Sequence, residues 1–474
     1  MVAYKRRFFT FVLVICLFLV SCSSVGEIPS SSPATLTSPI TTLPSATPTN
    51  GPTSLITSTQ EVGDFLPSSL PQDLFVEFWH PWSGELANLI SQLTDEFNHN
   101  NSYGITVNST AHSDQRVLIE DFEKGRLEGW VPDLVAAPTD YLTLLVGENF
   151  QLRDLNEFIT SEKWGLDEAS ISSFFPVFWN ANENQEQRWG VPAYWSGYYL
   201  FYNKSWGESL GFSERPFTVE EFKDQACAAA LNNLYDGNPD SNGTGGYIYS
   251  YDALAMLSWL KAYGGGSVHD SNASVQFGSP EDVDASEFLF DLYLIDCAWT
   301  GRQPQPYQYF SDRLALFYSG NLEEIIVQDN INRINDSDDM WTLIPYPYKK
   351  DKPVVLLEGF SYAIPTPDIE RATASWIFVK WLLEPQNQAR MVEATAGYPL
   401  SSAALPYLDT FRKDYPAWDE ALQFLALAEP APINSKWQLT RDILSDYAWQ
   451  LVRFTTQRED IPDILRQAEE IFEQ

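Results

Sequence analysis

The segment WGVPAYWSGYYLFYNKSW, residues 189–206, decides the fold. It carries Trp189, Tyr194, Trp195, Tyr198, Tyr199, Phe201, Tyr202 and Trp206. A strand with one face on a core needs apolar residues only at alternate positions, because successive side chains point to opposite faces. Between Tyr198 and Tyr202 the rings occupy both alternations, so this strand is expected to be covered on both sides. Tyr199 and Phe201 then pack one way, Tyr198 and Tyr202 the other.

Upstream, LFVEFW reads as a short buried strand leading through HPWSG into ELANLISQLTDEFN. There Leu86, Leu89, Ile90, Leu93 and Phe97 fall at helical spacing and Ser83 stands at the N-cap. ITVNSTA is a second strand, residues 113–127 a helix, and PDLVAA a third strand. Strands alternating with helices imply a parallel α/β sheet, whose ligands sit at the carboxyl ends of the strands. That places His80, Trp82, Ser83 and Thr139-Asp140 on one edge.

Downstream, Thr218 and Glu221 have capping-box spacing before a helix. Helices are expected around residues 254–262 and 284–295. DRLALFYSGNLEEIIVQ reads as a strand, a tight turn at Ser319-Gly320 and a helix, and GFSYAIPTP as a further strand. IERATASWIFVKWLLEPQNQARMV reads as a pair of amphipathic helices, and the section from Trp437 onward as helical. No internal repeat is present.

The chain has 474 residues, enough for two or three domains, and is 44% hydrophobic and 14% aromatic. Its 29 Lys+Arg against 64 Asp+Glu give a surface that repels nucleic acid and suits a neutral or cationic ligand; a general habit of secreted proteins gives the same balance. Lys5, Arg6 and Arg7 precede a short apolar run ending in Leu19-Val20-Ser21-Cys22. The run is short for a membrane span and suits a signal peptide, residues 1–21. LVSC resembles the bacterial lipobox, whose cysteine becomes the lipidated first residue; an uncleaved anchor is the alternative. Residues 22–70, rich in Ser, Thr and Pro, cannot bury a core and read as a tether. Removal of residues 1–21 takes the net charge from −35 to −38. With Cys16 in the signal and Cys22 lipidated, Cys227 and Cys297 remain. An even pair outside the cytosol favours a disulfide over two buried thiols.

The ordered set EFWHPWSG with its helix, PDLVAA, the aromatic segment followed by PFTVEEF, ALFYSGN, and LEGFSYAIPTP through GYPLSS resembles the extracellular solute-binding proteins of bacterial ABC transporters, in the sugar-binding group related to maltose-binding protein. With the lipobox the resemblance covers nearly the whole mature chain. It implies an α/β, two-lobe periplasmic-binding-protein (type II) fold with hinge crossover strands and a ligand cleft between the lobes. The lobes would span 71–200 with 355–402, and 203–352 with 403–474. The ligand would be a mono- or oligosaccharide, the partner an ABC permease, the state a monomer. The location would be the extracytoplasmic face of the cell membrane.

Aromatic platforms with a polar rim suit a sugar; an oxyanion would call for Arg clusters or open helix N-termini. The candidate ligand residues are His80, Trp82, Ser83, Asp140, Tyr194, Trp195, Asn321, Glu358, Gly359, Phe360, Tyr398 and Trp437. Tyr251 and Trp259 are expected to be core. Asp236, Asn238, Asp240 and Asn242 alternate as in a calcium loop, but Ser241 holds the usual glycine position and Tyr247 that of the bidentate glutamate, so an Asx-rich surface loop is expected. The four histidines, His80, His99, His112 and His269, form no ligand spacing. No nucleophile elbow, P-loop or HExxH is present, and no catalytic residue, metal or cofactor is assigned. A surface glycoside hydrolase and the ligand-binding component of a sensory system are the competing readings.

Overall fold

The computed structural model describes residues 66–148, 150–184, 187–267, 275–302 and 305–473. The signal segment, Cys16, Cys22, the tether up to residue 65, and His269 lie outside the described residues.

The strands β1 (Leu74–His80), β2 (Ile105–Ala111), β3 (Leu134–Pro138), β4 (Val191–Asn203), β5 (Gly245–Ile248), β6 (Ala298–Trp299), β7 (Ala315–Asn321), β8 (Trp341–Ile344), β9 (Leu356–Ala363) and β10 (Glu429–Pro430) form one sheet. Its order is β2-β1-β3-β9-β4-β7-β5-β6, with β8 paired to β4 and β10 to β9. Two parallel portions lie at the ends: β1 runs parallel to β2 and β3, and β5 runs parallel to β6 and β7. Between them β4 is antiparallel to β7, β8 and β9.

The aromatic segment is the seam. The first half of β4 pairs with β9, from Val191↔Tyr362 to Tyr198↔Leu356. Its second half pairs with β7, from Tyr198↔Asn321 to Tyr202↔Phe317, and with β8, from Leu200↔Ile344 to Asn203↔Trp341. Two hydrophobic cores meet here. One holds Val76, Phe78, Ile90, Leu93, Trp376 and Phe378; the other holds Phe222, Tyr247, Leu257, Trp259, Leu289 and Leu444. Tyr199 and Phe201 enter the first and Tyr198, Leu200 and Tyr202 the second, as the pleat requires of a strand covered on both faces. The chain thus has the two-lobe α/β architecture with crossing strands.

Several local readings differ. Ser83 is the N-cap of helix Gly84–Asn100, but its side chain makes no capping bond. Ser319 and Gly320 are not a turn: β7 runs through them, pairing with Leu200 and Tyr199. The end of the tether is part of the body. Leu66 is buried in the first core, and the carbonyls of Pro67 and Ser68 accept from Trp164 Nε1 at 2.9 Å and Lys163 Nζ at 2.5 Å. Residues 403–426 touch both lobes: Trp418 Nε1 donates to the Ala396 carbonyl at 2.8 Å, while Glu420 accepts from Thr342 at 2.5 Å. The capping box at Thr218 and Glu221 is formed. Cys227 and Cys297 form a disulfide with Cα atoms 4.5 Å apart, closing a loop worth about 4 kcal/mol in chain entropy. Among the described residues no helix is long and apolar enough to cross a membrane.

Candidate functional site

A cleft opens beside the first half of β4. The segment contributes Tyr194, Trp195 and Ser196; the start of β9 contributes Leu357, Glu358, Gly359 and Phe360. Asp140 comes from the first turn of helix Thr139–Gly147, just after the carboxyl end of β3. Asn321 ends β7 and Glu323 follows it, and Trp437, Gln438 and Arg441 lie on helix Trp437–Leu451. The cavity holds about 110 Å³, below the roughly 300–1,000 Å³ usual for a ligand pocket.

Its polar groups are wired together. Trp437 Nε1 donates to Glu358 Oε1 at 3.1 Å, and Arg441 donates to the same oxygen. Arg441 is one helical turn beyond Trp437, so the two share a face. Ser196 donates to Glu323, and the Tyr194 hydroxyl lies in the field of the same carboxyl. Burial raises the carboxyls of Glu358 and Glu323 above the usual carboxylate range, against the pull of Arg441 on the first and of Ser196 on the second. Burial, then Glu358, pushes Asp140 up to about 6. The next carboxyl, Glu324, is pushed by burial up to about 7 although its Oε1 accepts from the Asn321 amide at 2.9 Å. The aromatic walls are Tyr194 and Phe360, with ring centroids 6.4 Å apart; Trp437 is buried in the second core and reaches the cleft through its bond to Glu358. Two glycines make room for this arrangement: a Cβ on Gly359 would overlap the Trp195 indole, and one on Gly397 the Tyr194 ring.

Eight of the twelve sequence candidates border this cleft: Asp140, Tyr194, Trp195, Asn321, Glu358, Gly359, Phe360 and Trp437. Trp195, however, offers no platform here. Its ring is 0% exposed and packs into the first core, 5.3 Å from Phe178. Tyr194 and Trp195 are adjacent on a strand, so only one of the two rings can face the cleft.

Four candidates lie outside the cleft. His80 shares the core-facing side of β1 with Phe78, 5.3 Å away, and stacks on Trp82 at 5.2 Å. Burial lowers its pKa to about 4. Trp82 is buried against Phe360 and Tyr362, one layer behind the wall, and Ser83 is exposed. Tyr398 is buried, its hydroxyl bonded to that of Tyr199 and its amide donating to the Trp195 carbonyl at 2.8 Å; it fastens residues 396–400 to β4. Trp259 is core, whereas Tyr251 is exposed at its edge.

Sequence reasoning missed Ser196, Glu323, Gln438 and Arg441. Two were within reach of simple rules, since Glu323 follows Asn321 by two residues and Arg441 follows Trp437 by four. In the Asx-rich loop, Asp236 accepts from the Asn238 amide at 2.6 Å and from Ser241 at 2.8 Å, and Asn238 accepts from the Asp240 amide at 3.2 Å. Among the described residues no cluster of three or more His, Cys, Asp or Glu is placed to hold a metal.

The same architecture occurs in solved sugar receptors. The cyclic α-maltosyl-1,6-maltose binding protein of Arthrobacter globiformis superposes with a TM-score of 0.67 at 16% identity, over 83% of this chain and 97% of its own. The sugar-binding protein MalE of Xanthomonas citri gives 0.67 at 19% identity, over 84% and 99%. The GacH receptor of Streptomyces glaucescens, solved unliganded and with acarbose, gives 0.66 at 16% identity, over 85% and 98%. At these identities the likeness is one of fold. No curated protein sequence matches the chain. Residues 69–389 match the sequence family described as bacterial extracellular solute-binding protein, a span that runs from before β1 through β4 and β9 and ends before the helix that carries Trp437 and Arg441. The chain therefore belongs to the family of bacterial extracellular solute-binding proteins.

Proposed function

We propose that this protein captures a carbohydrate in its interlobe cleft and delivers it to an ABC permease, held at the extracytoplasmic face of the membrane by a lipid on Cys22. The observation that carries the reading is the cleft itself. Aromatic rings of Tyr194 and Phe360 stand beside the carboxyls of Asp140, Glu323 and Glu358, at the junction of two lobes. Apolar ring faces suit the C–H faces of a pyranose, and carboxylates accept from its hydroxyls. The solved relatives of the same fold that are named for maltosides, mannotriose and tagatose support the ligand class. Asp140, Tyr194, Asn321, Glu358, Phe360 and Trp437 are the proposed ligand contacts, joined by Glu323 and Arg441.

The test is a thermal-stability screen of the purified protein against mono- and oligosaccharides. A ligand that binds only the folded state at about a hundred times its Kd adds about 2.7 kcal/mol, so a clear rise in Tm is expected for at least one saccharide. Stabilisation by polyamines, phosphate esters or iron, with none by any saccharide, would overturn the ligand class. Turnover of a chromogenic glycoside, abolished by changing one cleft carboxylate, would replace the receptor with a hydrolase. For the anchor, Cys22→Ala is expected to release the protein from the membrane fraction.

A further inference from the structure

A glycine stands in an unexpected place beside the cleft wall. Helix Pro385–Thr395 ends on Ala396, which takes the left-handed conformation, φ 61°, usually left to glycine at a helix end. The glycine comes one residue later, at Gly397, whose own φ lies outside that region. Backbone conformation therefore does not call for glycine at 397, but space does. A Cβ there would press into the Tyr194 ring, well inside the about 3.5–4.0 Å at which carbon atoms rest in contact.

A side chain at 397 leaves two ways out: the chain retreats or the ring advances. The chain is held from several directions. The Ala396 carbonyl accepts from Trp418 Nε1 at 2.8 Å, the Gly397 amide donates to Thr395 Oγ1 at 3.0 Å, and the Tyr398 amide donates to the Trp195 carbonyl at 2.8 Å. Tyr398 is buried, bonded to the Tyr199 hydroxyl and closed against Gly197 of β4, where a Cβ would stand 3.0 Å from its ring. The ring is held less tightly. Tyr194 is half-buried and borders the cavity of about 110 Å³, so there is space on that side for it to enter. Close-packed surroundings pass such strain to whichever neighbour can move.

We propose that Gly397 is a positioning residue for the cleft: by leaving the Tyr194 ring room to lie back against the chain, it sets how deep the site is and so the size of saccharide that fits. The size of the saccharide rests on the carbohydrate reading above; the placement of the ring does not. Any residue larger than glycine at 397 makes the site shallower without itself touching the ligand.

The test compares Gly397→Ala, Tyr194→Ala and the double variant. In a crystal structure of unliganded Gly397→Ala, the Tyr194 ring is expected to stand further into the cleft with residues 396–398 in place; a ring unmoved beside a retreated loop overturns the proposal. In thermal denaturation, Gly397→Ala is expected to lower Tm when Tyr194 is present and to cost little further in the Tyr194→Ala background. An equal fall in both backgrounds means that the glycine serves something other than this ring, and overturns the proposal. Affinities are then measured for the saccharide that raises the wild-type Tm most, and for its homologues one unit longer and one unit shorter. Gly397→Ala is expected to weaken the longest that binds by about tenfold or more, in the range one methylene commands in a pocket, and the shortest by less. An equal loss along the series overturns the size claim. Binding of no saccharide by the wild type would sink the carbohydrate reading, while the crystal structure and the denaturation still decide what Gly397 does.

Discussion

At the scale of single residues, two kinds of buried titratable group pull stability in opposite directions with pH. His80 titrates at about 4 in the folded protein against 6.5 ordinarily. Between those values the unfolded chain takes up a proton that the folded chain refuses. Stability is therefore lost as pH falls from about 6.5 towards 4, by on the order of 3 kcal/mol. The cleft acids act the other way. Asp140 at about 6 and Glu324 at about 7 stand above their ordinary 3.8 and 4.5. Between those values the folded chain holds protons that the unfolded chain releases, so stability is lost as pH rises from about 4 to 7. In the unliganded protein, Asp140→Asn and Glu324→Gln are expected to raise Tm at pH 7.5 and leave it unchanged at pH 4, followed by calorimetry. A rise of equal size at both values would mean that burial of charge is not the cause.

At the scale of elements, the strand pair β4–β9 explains both what the sequence disclosed and what it hid. Trp195 lies opposite Gly359, and the indole fills the space a side chain would take. Gly359→Ala is expected to cost about 2 kcal/mol by overpacking and Trp195→Ala about 4 kcal/mol by leaving a cavity, both read by chemical denaturation. A Trp195→Ala variant that keeps full stability but loses ligand would restore this ring to the binding surface. The strands and helices of the first lobe were legible because burial on one face leaves a period, as in Leu86, Leu89, Ile90, Leu93 and Phe97. The double covering of β4 was legible because both alternations carry rings. Which of Tyr194 and Trp195 faces the cleft was not, since a strand aromatic on both faces gives no sign of which face is which. Ser319-Gly320 read as a turn because glycine usually marks one; here Gly320 sits where Phe201 and Glu324 close in, and the strand continues. His80 and Tyr398 lay in the right segments, but only packing shows that their rings turn into the core.

At the scale of the whole molecule, a ligand held between two lobes is expected to change the angle between them. A saccharide that binds is then expected to lower the radius of gyration in small-angle scattering, relative to the same protein kept free of ligand, as hinge closure does. An unchanged radius at saturation would mean that the lobes do not move on binding. The crossing constrains what kind of movement this can be. β8 and β9 both lie antiparallel along β4, leaving it only for the excursion 345–355, where Tyr346 and Val354 pair with each other. The lobes are thus joined by a stapled ribbon rather than by independent cords. A ribbon flexes and twists, but one strand cannot slide past its neighbour without breaking the ladder and turning every side chain to the wrong face. The ladder opposes sliding of the lobes, and bending and twisting of the ribbon remain. A partner that touches both lobes from outside can read occupancy from their relative orientation.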